Sequence, residues 1–233
     1  MFQFIIQTII IIYIIFVIYN ILNLQKYNYN GYILFYNGDI KGISNELKNL
    51  NPLHITIHNK FNIETLINEN NKYIINDNDT LIPLNNIQNL NHLYLYKNRE
   101  LINDLKIDKY IHINKHFFQN NEILFIPDKS LTIFKNVKTK LHRAFHNYNI
   151  IGILNGQTTF YLFNPKHKED ILDQENENIK KWAHKKTLEK GDILFIPTNW
   201  FYFQETNNNV CQYHIDIDNI FTFIPHFFKS SLT

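Results

Sequence analysis

The sequence predicts a mainly β domain with a few helices, preceded by one N-terminal transmembrane helix, and three stretches carry that prediction. In Thr187 to Glu205 a turn at Glu189-Lys190-Gly191-Asp192 leads into the apolar run Ile193-Leu194-Phe195-Ile196. A break at Pro197 and the aromatic run Trp200-Phe201-Tyr202-Phe203 follow, the pattern of strand, turn and strand. The runs Ile150 to Leu154 and Thr159 to Phe163 flank Asn155-Gly156, as in a β-hairpin. The third stretch is Phe2 to Leu22, where Gln3, Gln7 and Thr8 are the only strongly polar residues before Asn20.

With 233 residues, 45% of them hydrophobic, the chain can bury one main core. Its 23 Lys+Arg against 21 Asp+Glu leave a formal charge of +2, far from the dense basic character of a phosphate-backbone binder, so no nucleic-acid partner is expected. The abundance of Asn, Ile, Lys and Tyr reads as the bias of an AT-rich genome. Cys211 stands alone, which excludes a disulfide-stapled scaffold.

Taken in order, residues 2–22 supply about 20 mostly apolar residues, the thickness of a bilayer core, and lack the basic start and small-residue cleavage site of a signal peptide. The membrane is thus the expected partner of this segment. No Lys or Arg precedes it, whereas Lys26, Lys41 and Lys48 follow, which puts the C-terminal domain of a single-pass protein on the cytoplasmic side. Residues 23–30 read as a polar linker.

Residues 31–114 form an α+β N-terminal extension or lobe. In it Tyr32 to Tyr36 and Leu93 to Tyr96 read as strands, and Phe61 to Asn71 and Asn98 to Lys109 as short helices. His54-Ile55-Thr56-Ile57-His58 alternates, so both histidines share one face, read as a polar sheet face rather than a metal pair. His112 and His116 lie among β-branched residues, where their spacing of four is incidental. Residues 115–233 hold the remaining strands, expected to close on one another. Glu122 to Asp128 echoes Asp192 to Thr198, and within a polar insertion from Lys166 to Lys186 the charged stretch Asp170 to Trp182 reads as an exposed loop or short helix.

Two blocks in this half resemble the JmjC-like, cupin-like (cupin-8 type) hydroxylases of the double-stranded β-helix fold. His142, Asn149, Gly156, Leu162-Phe163 and Pro165 match the first block. Leu188, Gly191-Asp192, Leu194, Ile196-Pro197 and Trp200 match the second. The resemblance spans about residues 115–225 and implies a cupin or jelly-roll barrel with Fe(II) held by two His and one carboxylate, and 2-oxoglutarate as co-substrate. The chain departs from that pattern at three positions. Ala144 stands where the family has its carboxylate, Tyr202 where it has the distal His, and Thr158 where a lysine often anchors the co-substrate. Asn149 and Trp200 complete the family's pocket positions.

The expected protein is therefore a membrane-anchored, non-catalytic binding or structural module, with no cofactor and with another protein as a candidate partner. The alternative is an Fe(II)- and 2-oxoglutarate-dependent protein hydroxylase with a rebuilt ligand set, drawn from His142, His146, His214 and Asp216. On a strand His214, Asp216 and Asp218 share one face. Facing solvent, the preferred reading, they bind nothing; facing inward, they could assemble a metal site.

Overall fold

A computed structural model of the chain describes residues 2–26, 34–35, 51–57, 60–70, 73–77, 80–89, 93–111, 128–172 and 174–218. The first half supplies α1 (Phe2–Lys26), β1 (Leu34–Phe35), β2 (Leu53–Thr56), α2 (Ile63–Glu69), β3 (Ile74–Asp77), β4 (Thr80–Pro83), β5 (Leu93–Asn98) and α3 (Glu100–Asp104). The second supplies β6 (Asp128–Lys135), β7 (Val137–Lys138), β8 (His142–Arg143), β9 (Tyr148–Asn155), β10 (Gln157–Phe163), α4 (Lys168–Ile171), α5 (Asn176–Ile179), β11 (His184–Glu189), β12 (Asp192–Pro197), β13 (Phe201–Thr206) and β14 (Val210–Ile217).

No helix among the described residues is long and apolar enough to cross a membrane, which overturns the transmembrane span expected over residues 2–22. The segment is helical over Phe2–Lys26.

Apart from β3 and β4, which pair with each other as a separate antiparallel hairpin, the strands form two facing sheets rather than one sheet closed on itself. One runs β1-β2-β12-β9-β14-β6-β5; the other runs β11-β10-β13-β7, with β8 also on β13. Apart from the parallel pair β1 and β2, the pairings in these two sheets are antiparallel. Strands β2 and β5 of the N-terminal half thus sit in the same sheet as β12, β9, β14 and β6.

The expected hairpin at Asn155-Gly156 is a turn but not a ladder. Gly156 adopts φ +84, the left-handed region that glycine enters without penalty. Its two strands then part: β9 lies between β12 and β14, and β10 between β11 and β13. Both hydrogen-bonding edges of each strand are already taken, so β9 and β10 cannot pair with each other.

Side-chain alternation assigns the layers. Ile151, Ile153, Leu194 and Ile196 of the large sheet meet Phe160, Leu162, Leu188, Trp200 and Tyr202 of the small one in the layer between the sheets. The other face of the large sheet, with Ile193, Phe195, Cys211, Tyr213 and Ile215, packs under Phe61, Leu66, Leu84, Leu101 and Ile107 from the N-terminal region. Gly152 is needed here, because a Cβ would lie 2.1 Å from the Tyr213 ring. On the outside of the small sheet Ile171 and Ile179 cover Phe163, Phe201 and Phe203. The insertion read as exposed therefore buries two isoleucines completely.

Of the other expected elements, α2 starts at Asn62, whose side chain accepts from Glu64 N and Thr65 N, an N-cap. The helix expected over 98–109 is split into α3 and a 3-10 turn at Ile107–Tyr110, with left-handed Lys106 (φ 51) between them. His58, His112, His116 and Ile123 to Pro127 lie outside the described residues.

Candidate functional site

Strand β14 is buried along its whole length because both its faces are covered. Cys211, Tyr213, Ile215 and Ile217 enter the outer core, so Gln212, His214 and Asp216 face the layer between the sheets. The solvent-facing orientation preferred from the sequence is overturned: His214 is 2% exposed and Asp216 7%. The second sheet decides the matter, since it covers whichever face the large sheet turns towards it.

A carboxylate so placed requires a partner. Lys97 supplies it, with Nζ 2.5 Å from Asp216 Oδ2. The lysine arrives through an irregularity in β5, whose register against β6 shifts between Leu95 and Asn98. Lys97 itself takes φ 46, and its N–H donates to Thr132 Oγ1 at 3.0 Å. A left-handed non-glycine residue costs about 1–2 kcal/mol, and bulges of this kind re-aim side chains.

The neighbouring Tyr96 stacks on His142 at 5.4 Å and 11° and meets His214 edge-on at 6.0 Å. Burial pushes the Tyr96 phenol up to about 12, helped by the charge of Asp216 and opposed by a hydrogen bond with Tyr202. His142 is held below its ordinary pKa by burial and then by Lys97. Its Nε2 is buried with no hydrogen-bond partner among the described residues. His214 lies well below its ordinary value through burial, then Lys97 and His142. Its neutral Nε2 sits 3.0 Å from the Gln212 amide nitrogen, from which it accepts.

His146 differs in sign. Burial lowers its pKa, but the hydrogen bond to Asp218 and the charges of Asp216 and Asp218 outweigh that and hold it above the ordinary value. Nδ1 lies 2.8 Å from Asp218 Oδ2, and Nε2 lies 3.8 Å from Asp216 Oδ2.

The structure thus gathers His142, His146, His214 and Asp216 around Lys97. Tyr202 is the cross-strand partner of His142 and borders the same group. Asn149 lies near it but donates to His146 O at 3.1 Å and Ile196 O at 3.3 Å, clamping backbone. Ala144 and Trp200 belong to the packing between the sheets, tied by Ala144 N donating to Trp200 O at 2.8 Å. Thr158 is at the other end of β10, donating to Glu205 O at 3.2 Å, and takes no part.

As arranged, these groups do not fit a metal. Among the described residues no set of three or more His, Cys, Asp or Glu is placed to hold one. Asp216 is engaged by Lys97, His146 by Asp218 and His214 by Gln212.

A cavity of about 600 Å³ opens beside the group, lined by Tyr96, Lys97, Leu141, His142, Arg143, Phe145, His146, Asn149, Lys168, Leu172, Phe201 and Tyr202. None of these is acidic. The Arg143 guanidinium donates to Asn199 Oδ1 at 2.7 Å and lies over the Phe145 and Phe201 rings at 5.5 and 5.8 Å. Phe145 and Leu172 are 40% and 39% exposed.

Sequence reasoning missed Tyr96, Lys97, Arg143, Lys168 and Gln212. The alternation of Gln212 with His214 and Asp216 was readable. Tyr96 and Lys97 carry no such signal, since they look like the end of an ordinary strand.

Fold and site together define a mainly antiparallel β protein with a basic, aromatic pocket at one end of its two sheets. No protein-family model matches the chain, and no curated protein matches it either.

Proposed function

We propose that the protein is a non-catalytic binding module that takes a small organic anion with an apolar body into this cavity. The supporting observation is the lining: Lys97, Arg143 and Lys168 contribute three cations and no residue contributes an acid. Lys97 is neutralised by Asp216, which leaves Arg143 and Lys168, neither with a carboxylate partner among the described residues. A charge-assisted hydrogen bond to such a cation contributes about 1.5–3 kcal/mol, and Leu141, Phe145 and Leu172 offer apolar surface beside it. The likeness to the JmjC-like, cupin-like hydroxylases remains one of sequence blocks, in which Ala144 and Tyr202 replace the family's carboxylate and distal His. The engaged state of His146, His214 and Asp216 favours binding over iron chemistry.

Calorimetry on the full chain with phenyl phosphate, benzoate and neutral benzyl alcohol tests the reading. The two anions are expected to bind, more weakly as salt is raised, and benzyl alcohol is not. The double variant R143A/K168A is expected to weaken phenyl phosphate by about tenfold or more, equivalent to about 1.4 kcal/mol. Equal binding of benzyl alcohol, or stoichiometric Fe(II) with turnover of 2-oxoglutarate, would overturn the proposal.

A further inference from the structure

Arg143 is held more firmly than an exposed arginine requires. Its backbone pairs with Phe201 across β8 and β13, and its guanidinium lies over the Phe145 and Phe201 rings at 5.5 and 5.8 Å. Its Nη2 donates to Asn199 Oδ1 at 2.7 Å; a guanidinium only donates, so the amide must offer its oxygen. Asn199 is left-handed, with φ 71, a region that few residues other than glycine and asparagine enter readily. The turn around it is fastened in the same place. Asn199 N donates to Ala144 O at 2.7 Å, Trp200 N to Pro197 O at 3.4 Å and Thr198 Oγ1 to Phe145 O at 3.3 Å. Backbone, rings and amide thus all constrain a guanidinium that lines the cavity and has no carboxylate partner among the described residues.

We infer that Asn199 is a positioning residue that sets the Arg143 fork for a two-point hydrogen bond to the head group of the ligand, which makes that head group a carboxylate or a phosphate. The inference rests on the anion reading above and adds the geometry by which the anion is read. An arginine that swings freely must be ordered by its ligand, whereas one already stacked and bonded binds without that cost. A carboxylate or a phosphate presents two oxygens where the fork presents two N–H groups. Lys168, at the same cavity, adds charge without that direction, since an ammonium is a point charge on a flexible stem.

The test uses the full chain, with phenyl phosphate and benzoate as probes, calorimetry for affinity and nitrogen NMR for the Arg143 side chain. N199G suits the left-handed backbone but removes the acceptor. It is expected to weaken both anions about fivefold and to speed the guanidinium rotation that Asn199 slows in the wild type. N199D keeps the shape but sets a carboxylate against the guanidinium. It is expected to hold Tm at or above the wild-type value while weakening both anions by about tenfold or more, a split that a merely structural role would not produce. R143K keeps the charge, loses the fork and is expected to weaken both anions about tenfold. The inference alone is overturned if the wild type binds the anions and N199G and N199D bind them within about twofold of it. Equal guanidinium rotation in the wild type and N199G, or undiminished binding in R143K, overturns it as well. A wild type that binds neither anion overturns it together with the anion reading.

Discussion

Asp192 and Asp216 face the same layer between the sheets, about equally buried at 8% and 7% exposure, yet they are held in opposite ways. Asp192 accepts from Thr56 Oγ1 at 2.6 Å and from Glu189 N at 2.8 Å, and lies 3.0 Å from His54 Nε2. Thr56, Asp192 and His54 sit on paired strands in regular register. Asp216 instead faces a lysine carried in on a left-handed backbone, and that lysine lines a cavity of about 600 Å³. The ingredients are alike, a carboxylate, a histidine and a further donor. The Asp192 cluster fastens β2 to β12, whereas the Asp216 cluster carries a backbone cost that packing alone does not require. Strain next to an open cavity is what separates a site from a fastening.

The largest effect that sharpens this contrast is expected from K97M. Removing one partner of a buried ion pair costs about 3–5 kcal/mol, and because the Lys97 side chain is 27% exposed about 2–3 kcal/mol is expected. Urea denaturation measures it; a loss below about 0.5 kcal/mol, the size of an ordinary surface substitution, would put the two clusters in one class. A smaller loss, about 1–3 kcal/mol, is expected from D192N, which weakens hydrogen bonds but strands no charge. Phenyl phosphate binding should not change in D192N, and a tenfold change would break the comparison from the other side.

The smallest effect lies in pH. The folded pKa of His146 is raised, so its contribution is fully present below its unfolded value of about 6.5 and lost as pH rises through the folded value. Asp192 is held below its ordinary 3.8, its hydrogen bonds outweighing burial. Its contribution is therefore present above that pH and lost as pH falls through the folded value. His54, His142 and His214 are all lowered, burial being the first cause. They oppose folding as pH drops below about 6.5, because the unfolded chain takes protons that the folded one refuses. Stability is thus expected to fall between pH 7 and 5, more steeply in H146Q than in the wild type. D192N should flatten only the decline below about pH 4. An unchanged slope in H146Q would remove His146 from the Asp216 cluster.

The sequence made β12 and β13 legible because Gly191, Pro197 and the runs beside them are local signals; the turn has φ +94 at Gly191. It also showed that His214 and Asp216 share a face. It could not show which face, since that depends on a second sheet built from residues far along the chain. The parting of β9 and β10 was hidden for a similar reason, as it follows from other strands having taken their edges. The bulge that delivers Lys97 exists only against β6, about 35 residues later, and is fixed by contacts such as Lys97 N to Thr132.

The pairing of β2 with β12 bears on how the chain is made. Thr56 meets Asp192 across 136 positions of sequence. At about 5–20 residues per second, a ribosome needs on the order of ten seconds to cover that interval. During it β2, with Leu53 and Ile55, has emerged while β12 does not yet exist. Contacts of such long range also slow folding itself. The apolar residues Leu53 and Ile55 of β2 thus stay without their β12 partner until the last strands have been made.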